Sequence, residues 1–164
     1  MAKVYAALFL GQGGETFSWG IDKLASDIRA LGNTDAEVLA DVLPWQDYRD
    51  ADTRVVAKEK DGYKVALIGY SLGDSTVTYL QTIVRVDLLV CIAASSLAKN
   101  YKVDKFHTRR SVLFHGQDFL SNWGEDAGFD LKVELPWYDL HLGADVDPRV
   151  FSVTLDEVRK LVKS

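Results

Sequence analysis

The chain has 164 residues, of which 48% are apolar and 26% are charged, and its formal net charge is −5. A chain of this length folds as one domain with a hydrophobic core, so we expect a single domain over residues 1–164, with no room for a lid or cap domain. The acidic balance disfavours a nucleic-acid-binding protein. The single cysteine excludes an intrachain disulfide and a multi-thiolate zinc site.

Three local features have simple structural interpretations. Cys91 lies in the apolar run VDLLVCIAA, which predicts a buried, unreactive thiol. A basic stretch predicts a solvated face; it comprises Lys99, Lys102, Lys105, His107, Arg109 and Arg110. The N-terminal apolar run is too short for a signal peptide, and no run approaches the roughly 20 residues of a membrane-spanning helix. We therefore expect a cytoplasmic protein.

The first half of the chain alternates strands with helices. A continuous apolar run predicts a buried strand at residues 4–10, and a glycine turn follows it. Apolar side chains then recur at helical spacing before Gly32, which ends this helix; they are Ile21, Leu24, Ala25, Ile28 and Leu31. Residues 37–42 form a short strand closed by Pro44. Residues 45–60 form a charged surface helix whose inward side chains are Ala51, Val55 and Tyr48.

The second half continues the alternation. Its apolar runs predict strands at 64–70, 86–93, 111–115 and 131–135, with a helix at 72–81. The last helix covers 148–162, with Asp147 as its N-cap before Pro148. The inward stripe of that helix comprises Phe151, Leu155, Val158 and Val162. Helices that alternate with apolar strands predict a mostly parallel sheet covered on both faces, which is a three-layer α/β/α sandwich.

The junction after the third predicted strand has the pattern of a catalytic turn. It reads Gly69-Tyr70-Ser71-Leu72-Gly73, the G-x-S-x-G of the nucleophile elbow in α/β-hydrolases, and parallel sheets bind ligands at this end of their strands. Glycine at both flanking positions avoids collisions in so tight a turn. The backbone N–H of Leu72 is then placed to stabilise a developing oxyanion. The alternative is a glycine-rich strand-to-helix turn that contains an ordinary serine.

The first predicted strand also ends in glycines, at residues 11–14. Such a loop supplies the second oxyanion N–H of an α/β-hydrolase, and we favour Gln12 over Gly13 as the donor. A dinucleotide-binding fingerprint fits less well, because Thr16 stands where the third small residue belongs and no acidic residue clearly ends the second strand. A P-loop is absent as well. We therefore expect no cofactor.

A nucleophilic serine needs a base, and the chain has 3 histidines. We favour His141 over His115 and His107, because the order serine, acid, histidine in α/β-hydrolases puts the histidine late. Asp118 follows the strand at 111–115 and is the candidate acid; a loop-capping aspartate is the alternative. Other aspartates lie near the late histidine in sequence, of which the last two fit turn or helix-cap roles: Asp139, Asp145 and Asp147. The histidine spacing predicts no metal site.

Three segments resemble a known family: GQGGETFSWGIDKLASDIRALG, KVALIGYSLGDS and DLHLGADVDPRV. They are similar to a group of small, lidless α/β-hydrolases of bacteria and phages, described as lipase-, esterase- or thioesterase-like. The resemblance spans nearly the whole chain and implies a minimal α/β-hydrolase fold and a phage or prophage origin. It places the family's shared features on the glycine loop at residues 11–14, on Ser71 and on His141.

Two departures from that family pattern bear on catalysis. Tyr70 stands where such proteins commonly have histidine, a position outside the mechanism. Relatives often carry an aspartate at the end of the strand after the elbow helix, and this strand ends Ala93-Ala94-Ser95-Ser96. Either Asp118 takes the role of that acid, or a Ser–His pair works alone, or the site is degenerate.

The predicted function is hydrolysis of carboxylic esters through an acyl-enzyme on Ser71, with a small-molecule ester as substrate. The alternatives are a thioesterase or amidase that uses the same site, and a catalytically degenerate binding protein of the same fold. Without a lid, the site should be an open groove that suits short-chain or bulky esters. The aromatic residues expected to line an acyl pocket follow strand ends: Phe17, Trp19 and Trp45.

Overall fold

The computed structural model describes residues 1–16, 18–94, 102–116, 128–136 and 143–164. The strands in these ranges are β1 (Ala2–Phe9), β2 (Ala36–Leu43), β3 (Lys64–Tyr70), β4 (Leu88–Ile92), β5 (Ser111–His115) and β6 (Leu131–Glu134). The α-helices are α1 (Trp19–Arg29), α2 (Tyr48–Lys60), α3 (Gly73–Leu80) and α4 (Pro148–Lys163). Two short 3₁₀ turns lie at Gly14–Thr16 and Ala144–Val146.

The strands form one sheet in the order β2-β1-β3-β4-β5-β6, and every neighbouring pair is parallel. Strand side chains alternate between two buried clusters, one on each face of the sheet. Helices α1 and α4 pack on one face, while α2 and α3 pack on the other. The predicted three-layer α/β/α sandwich is therefore confirmed, and the central strands are apolar because helices cover both of their faces.

The strand order places a crevice between β1 and β3. Strand β2 pairs with one edge of β1, and β3 pairs with the other edge. The chain therefore leaves β1 towards β2 and leaves β3 in the opposite direction, towards β4. Such a switch point is where open parallel sheets bind their ligands. The register pairs Phe9 with Gly69. The segments that follow these two residues, the glycine loop and the predicted elbow, therefore emerge side by side.

Helix α2 begins later than its sequence pattern predicts. Residues 44–47 form a turn in which the Asp47 N–H donates to the Pro44 carbonyl at 3.2 Å, so the helix begins at Tyr48. Ala51 and Val55 are fully buried, as predicted. The prediction that Tyr48 points inward is wrong, because 44% of its surface is exposed. The cause is its position in the first turn, beyond the part of the helix that packs on the sheet.

Helix α4 buries a face slightly rotated from the predicted stripe. Of the four predicted side chains only Val158 is fully buried, and the other three are half-buried against the edge of the core. The centre of the buried face is formed by Val150 and Thr154 together with Val158. Glu157 is buried beside them because its carboxylate accepts two hydrogen bonds from Arg110, at 3.1 and 3.2 Å. A paired carboxylate tolerates burial that an unpaired one does not.

Several smaller predictions are also confirmed. The side chain of Asp147 caps α4 by accepting the Arg149 N–H at 2.7 Å. Cys91 is fully buried. The described part of the basic stretch is a solvated face, in which Lys105 and Arg109 are exposed and paired with aspartates; Lys99 lies outside the described residues. No helix within the described ranges is long and apolar enough to cross a membrane.

Candidate active site

Ser71 occupies a strained turn between β3 and α3. Its φ is +55°, and within the described residues the only other non-glycine residue with positive φ is Ala93, at +50°. The two strained residues are close, since the Ser71 N–H donates to the carbonyl of Ile92 at 3.0 Å. Backbone strain of this kind costs about 1–3 kcal/mol and clusters at functional sites. It lies here at the carboxyl end of the two central strands.

The flanking glycines of the motif permit this turn, as the sequence predicts. A Cβ on Gly69 would lie 2.5 Å from Oδ1 of Asp74, and one on Gly73 would lie 2.9 Å from the backbone carbonyl carbon of Phe9. Real Cβ atoms essentially never approach other atoms this closely. The two glycines therefore let the start of α3 pack directly against the ends of β1 and β3. This packing fixes the direction in which Ser71 leaves the sheet.

The glycine loop after β1 passes directly beside the serine. A Cβ on Gly11 would lie 3.0 Å from the Cβ of Ser71, and the Gly11 N–H is held by Oγ of Ser18 at 3.2 Å. The loop then turns through Gly13, whose φ is +85°. Within the described part of the chain, the backbone N–H groups of Gln12 and Leu72 donate no hydrogen bond. Both predicted oxyanion donors are therefore available to an oxygen atom bound near Ser71.

Ser71 is half-buried, and its hydroxyl makes no hydrogen bond to any other described residue. Its predicted base His141 and predicted acid Asp118 lie outside the described residues. The same holds for Asp139 and for Phe17. The structure therefore places the glycine loop beside Ser71, and the catalytic roles of Ser71, of the Gln12 and Leu72 N–H groups, and of the base and acid all stay predictions.

The other two histidines are described, and their positions differ. Nδ1 of His107 lies 2.8 Å from Oδ2 of Asp104. The next residue, Thr108, bridges to Val86 ahead of β4 and β5, so His107 lies at the amino edge of the sheet, opposite Ser71. His115 ends β5, at the carboxyl edge. Because β5 is two strands from β3, it stands about 10 Å away along the sheet. This geometry disfavours both as partners of the serine.

Asp145 anchors the segment that follows the predicted base. Its Oδ2 accepts the N–H of Gly20 at 2.9 Å, and it is almost completely buried. Burial raises the pKa of Asp145, and the Gly20 hydrogen bond opposes that shift. Gly20 lies in the first turn of α1, where Ser18 makes no side-chain cap, so Asp145 caps this helix from 125 residues away. The turn role predicted from sequence is confirmed, and it places Gly143 close to the start of α1.

Asp74 is a buried carboxyl that sequence reasoning missed. It is fully buried in the first turn of α3, and neither oxygen makes a hydrogen bond of normal geometry within the described residues. Burial raises its pKa well above the usual range, and weak contacts with the Cys91 thiol and the Ile92 backbone do not offset this. Burial therefore favours the protonated form of the Asp74 carboxyl and closes it off from a substrate. Asp74 precedes Val77 by three residues, so the two side chains lie on the same face of α3. This spacing is the feature of the sequence from which the burial of Asp74 could have been predicted.

A cleft of about 290 Å³ opens beside α3. Its lining comprises Trp45, Tyr48, Ser75, Thr76 and Tyr79. Trp45 was expected in an acyl pocket and does line this cleft. Trp19, which was also expected there, is 61% exposed and is not part of the lining. It lies at the first position of α1, on the opposite face of the sheet from α3.

Across the described ranges, no three His, Cys, Asp or Glu side chains are grouped so that they could hold a metal ion. In a dinucleotide-binding fingerprint the third small residue would stand at position 16. Thr16 occupies that position here and forms part of a 3₁₀ turn. Neither the models of protein families nor the curated proteins compared with this chain match it.

Proposed function

We propose that this protein is a serine hydrolase that cleaves carboxylic esters, as its resemblance to small lidless α/β-hydrolases implies. The observation that carries the proposal is the left-handed backbone of Ser71, with φ of +55°, between a parallel strand and a helix. A nucleophile elbow holds its serine in this conformation, because the tight turn exposes the hydroxyl beside a helix N-terminus. The site lies at the switch point of the sheet, where ligands bind.

The first step forms an acyl-enzyme. Oγ of Ser71 attacks the ester carbonyl carbon while its proton passes to the imidazole of His141. The carbonyl oxygen becomes negatively charged and accepts hydrogen bonds from the N–H groups of Gln12 and Leu72, neither of which has another acceptor in the described residues. When the tetrahedral intermediate collapses, the bond to the leaving oxygen breaks. His141 gives its proton to that oxygen, and the alcohol departs.

The second step regenerates the serine. His141 removes a proton from water, and the resulting hydroxide attacks the acyl carbon while the same N–H groups hold the oxyanion. The bond to Oγ of Ser71 breaks, Oγ recovers the proton from His141, and the carboxylic acid leaves. Asp118 orients the imidazole and stabilises its charged form during both steps. The residues of the site supply all the proton transfers, so the reaction needs no cofactor.

The experiment that tests this function is ester hydrolysis by matched variants. With p-nitrophenyl acetate, Ser71→Ala and His141→Ala should each lower kcat by about 1,000-fold or more. Asp118→Asn should lower it by up to about 10,000-fold, because the imidazole then takes the wrong tautomer. Ser152→Ala is the matched control and should leave kcat unchanged, since that hydroxyl is exposed on α4 and donates to the Arg149 carbonyl.

The controls separate the possible failures. Full activity in Asp118→Asn would show that Asp118 is not the acid, and that the enzyme uses a Ser–His pair or another carboxylate. Full activity in His141→Ala, with loss in His115→Ala, would reassign the base. A folded wild-type protein that hydrolyses no ester, thioester or amide would overturn the proposal in favour of a binding protein with a degenerate site.

A further inference from the structure

The cleft beside α3 begins one helical turn from the nucleophile. Ser75 lines it and follows Ser71 by four residues, which corresponds to about 6 Å along a helix. Its opposite wall is Trp45, two residues beyond the last residue of β2 and so at the carboxyl edge of the sheet. The hydroxyl of Thr76 donates to the Trp45 carbonyl at 2.7 Å and ties the two walls together. The cleft is thus a built feature of the edge that holds Ser71.

The cleft presents an apolar surface. The hydroxyls of Ser75 and Thr76 both donate to backbone carbonyls, so neither requires a ligand. Tyr48 and Tyr79 pack edge to face, with ring centroids 6.0 Å apart, and each is close to half exposed. The indole N–H of Trp45 has no acceptor among the described residues, but this atom is fully buried and does not reach the cleft surface. Aromatic rings and satisfied hydroxyls favour a hydrocarbon occupant.

The dimensions select a chain of medium length. The volume of about 290 Å³ is at the low end of ligand pockets, which span roughly 300–1,000 Å³, and is far too small to seat a folded partner. The wall on α3 runs from Ser75 to Tyr79, about 6 to 12 Å from the level of Ser71 at helical rise. An extended chain advances about 1.3 Å per carbon. An acyl group of roughly six to eight carbons attached at Ser71 spans about 8 to 10 Å and therefore extends along this wall without passing beyond Tyr79.

We propose that this cleft is the acyl-binding subsite, and that the substrate class is esters of unbranched, medium-chain carboxylic acids. The role of the cleft as a substrate subsite rests on the proposed function. Its ability to bind a medium-chain carboxylic acid does not depend on that function. Each methylene buried in such a cleft favours binding by about fourfold. The wild-type protein therefore prefers an octanoyl ester to an acetyl ester that has the same leaving group.

Two measurements on the full chain test the subsite. The first is the ratio of kcat/KM for p-nitrophenyl octanoate to that for p-nitrophenyl acetate. Tyr79→Ala should lower this ratio about tenfold, and Tyr48→Ala is the second variant should the first fold poorly. Phe106→Ala is the matched control, because this ring is 90% exposed and lies near the opposite edge of the sheet. It should change neither rate.

The second measurement is calorimetric titration of octanoate into the Ser71→Ala protein, which needs no catalysis. Adding Tyr79→Ala should weaken binding about tenfold. Hydrolysis with an unaltered octanoate-to-acetate ratio in both tyrosine variants would overturn the subsite and leave the proposed function standing. If the wild type hydrolyses no ester, the proposed function falls. Octanoate binding that depends on Tyr79 would still support the cleft as a ligand site, and absent or unaltered binding would overturn it.

Discussion

Asp145→Ala removes the link between the start of α1 and the segment that follows the predicted base. The substitution leaves the Gly20 N–H without its acceptor at 2.9 Å. Losing a helix cap or a buried hydrogen bond costs about 1–2 kcal/mol. The bond from the Gly20 N–H to Asp145 is both the cap and the buried hydrogen bond, so this cost is counted once. Removing a carboxyl whose pKa is raised by burial returns part of that loss. We expect the free energy of unfolding to fall by about 1 kcal/mol.

The effect on catalysis should exceed the effect on stability. Residue 141 precedes Gly143 by two positions in the sequence, and a displacement of a catalytic group by about 1 Å costs roughly 100-fold in rate. We expect kcat/KM for p-nitrophenyl acetate to fall about tenfold to a hundredfold. Ile28→Val is the matched control: it truncates a fully buried side chain of α1, costs about 1 kcal/mol and leaves the anchor intact. Both variants are assayed well below their melting temperatures.

Asp145→Asn and Gly20→Ala complete the experiment. The asparagine keeps an oxygen for the Gly20 N–H and should restore most of the rate. A Cβ on Gly20 would lie 2.7 Å from the backbone carbonyl carbon of Asp145, so Gly20→Ala should reproduce the loss by pushing the two segments apart. If Asp145→Ala hydrolyses esters at the rate of Ile28→Val, the anchor does not position the base and the reasoning is refuted.

Three further predictions concern the packing beneath the site. Gly73→Ala should destabilise the protein by more than about 2 kcal/mol in urea unfolding, because its Cβ meets the Phe9 backbone; Gly62→Ala, where nothing lies within 4 Å, should cost about half as much. Asp74 keeps its proton when folded and loses it near pH 4 when unfolded, so wild-type stability should fall relative to Asp74→Asn as pH rises above about 4. A constant difference across pH would show that Asp74 is not buried neutral. Cys91 should resist iodoacetamide at pH 8 until denaturant is added, since burial raises its pKa.

Much of the architecture was predictable because the position of each strand follows from a short run of consecutive residues. Strands β3 and β5 match their predicted bounds, because each contains a continuous apolar run, at residues 65–68 and 112–114. The start of α2 was misplaced by three residues, because the turn that precedes Tyr48 depends on a backbone hydrogen bond that no residue type encodes. The predicted buried face of α4 was rotated from the observed one, because the hydrogen bonds from Arg110 allow Glu157 to be buried. That pair joins residues 47 positions apart.

The candidate site was predictable only where its chemistry is local. The elbow around Ser71 is written in five consecutive residues, and its two glycines have the steric role that the motif implies. The capping of Gly20 by Asp145 joins residues 125 positions apart and has no sequence pattern. The identity of the acid is not local either. Its choice among several aspartates depends on side-chain geometry that chain order alone does not determine.

The most direct test of the central claim is the intact mass of the protein after incubation with a fluorophosphonate. This reagent phosphonylates an activated serine with loss of fluoride, so we predict one adduct on the wild type and on Ser152→Ala, none on Ser71→Ala, and a much slower reaction for His141→Ala. Peptide mapping should place the adduct on Ser71. A folded wild-type protein that takes no adduct would contradict the account, because the strained serine would then not be a nucleophile.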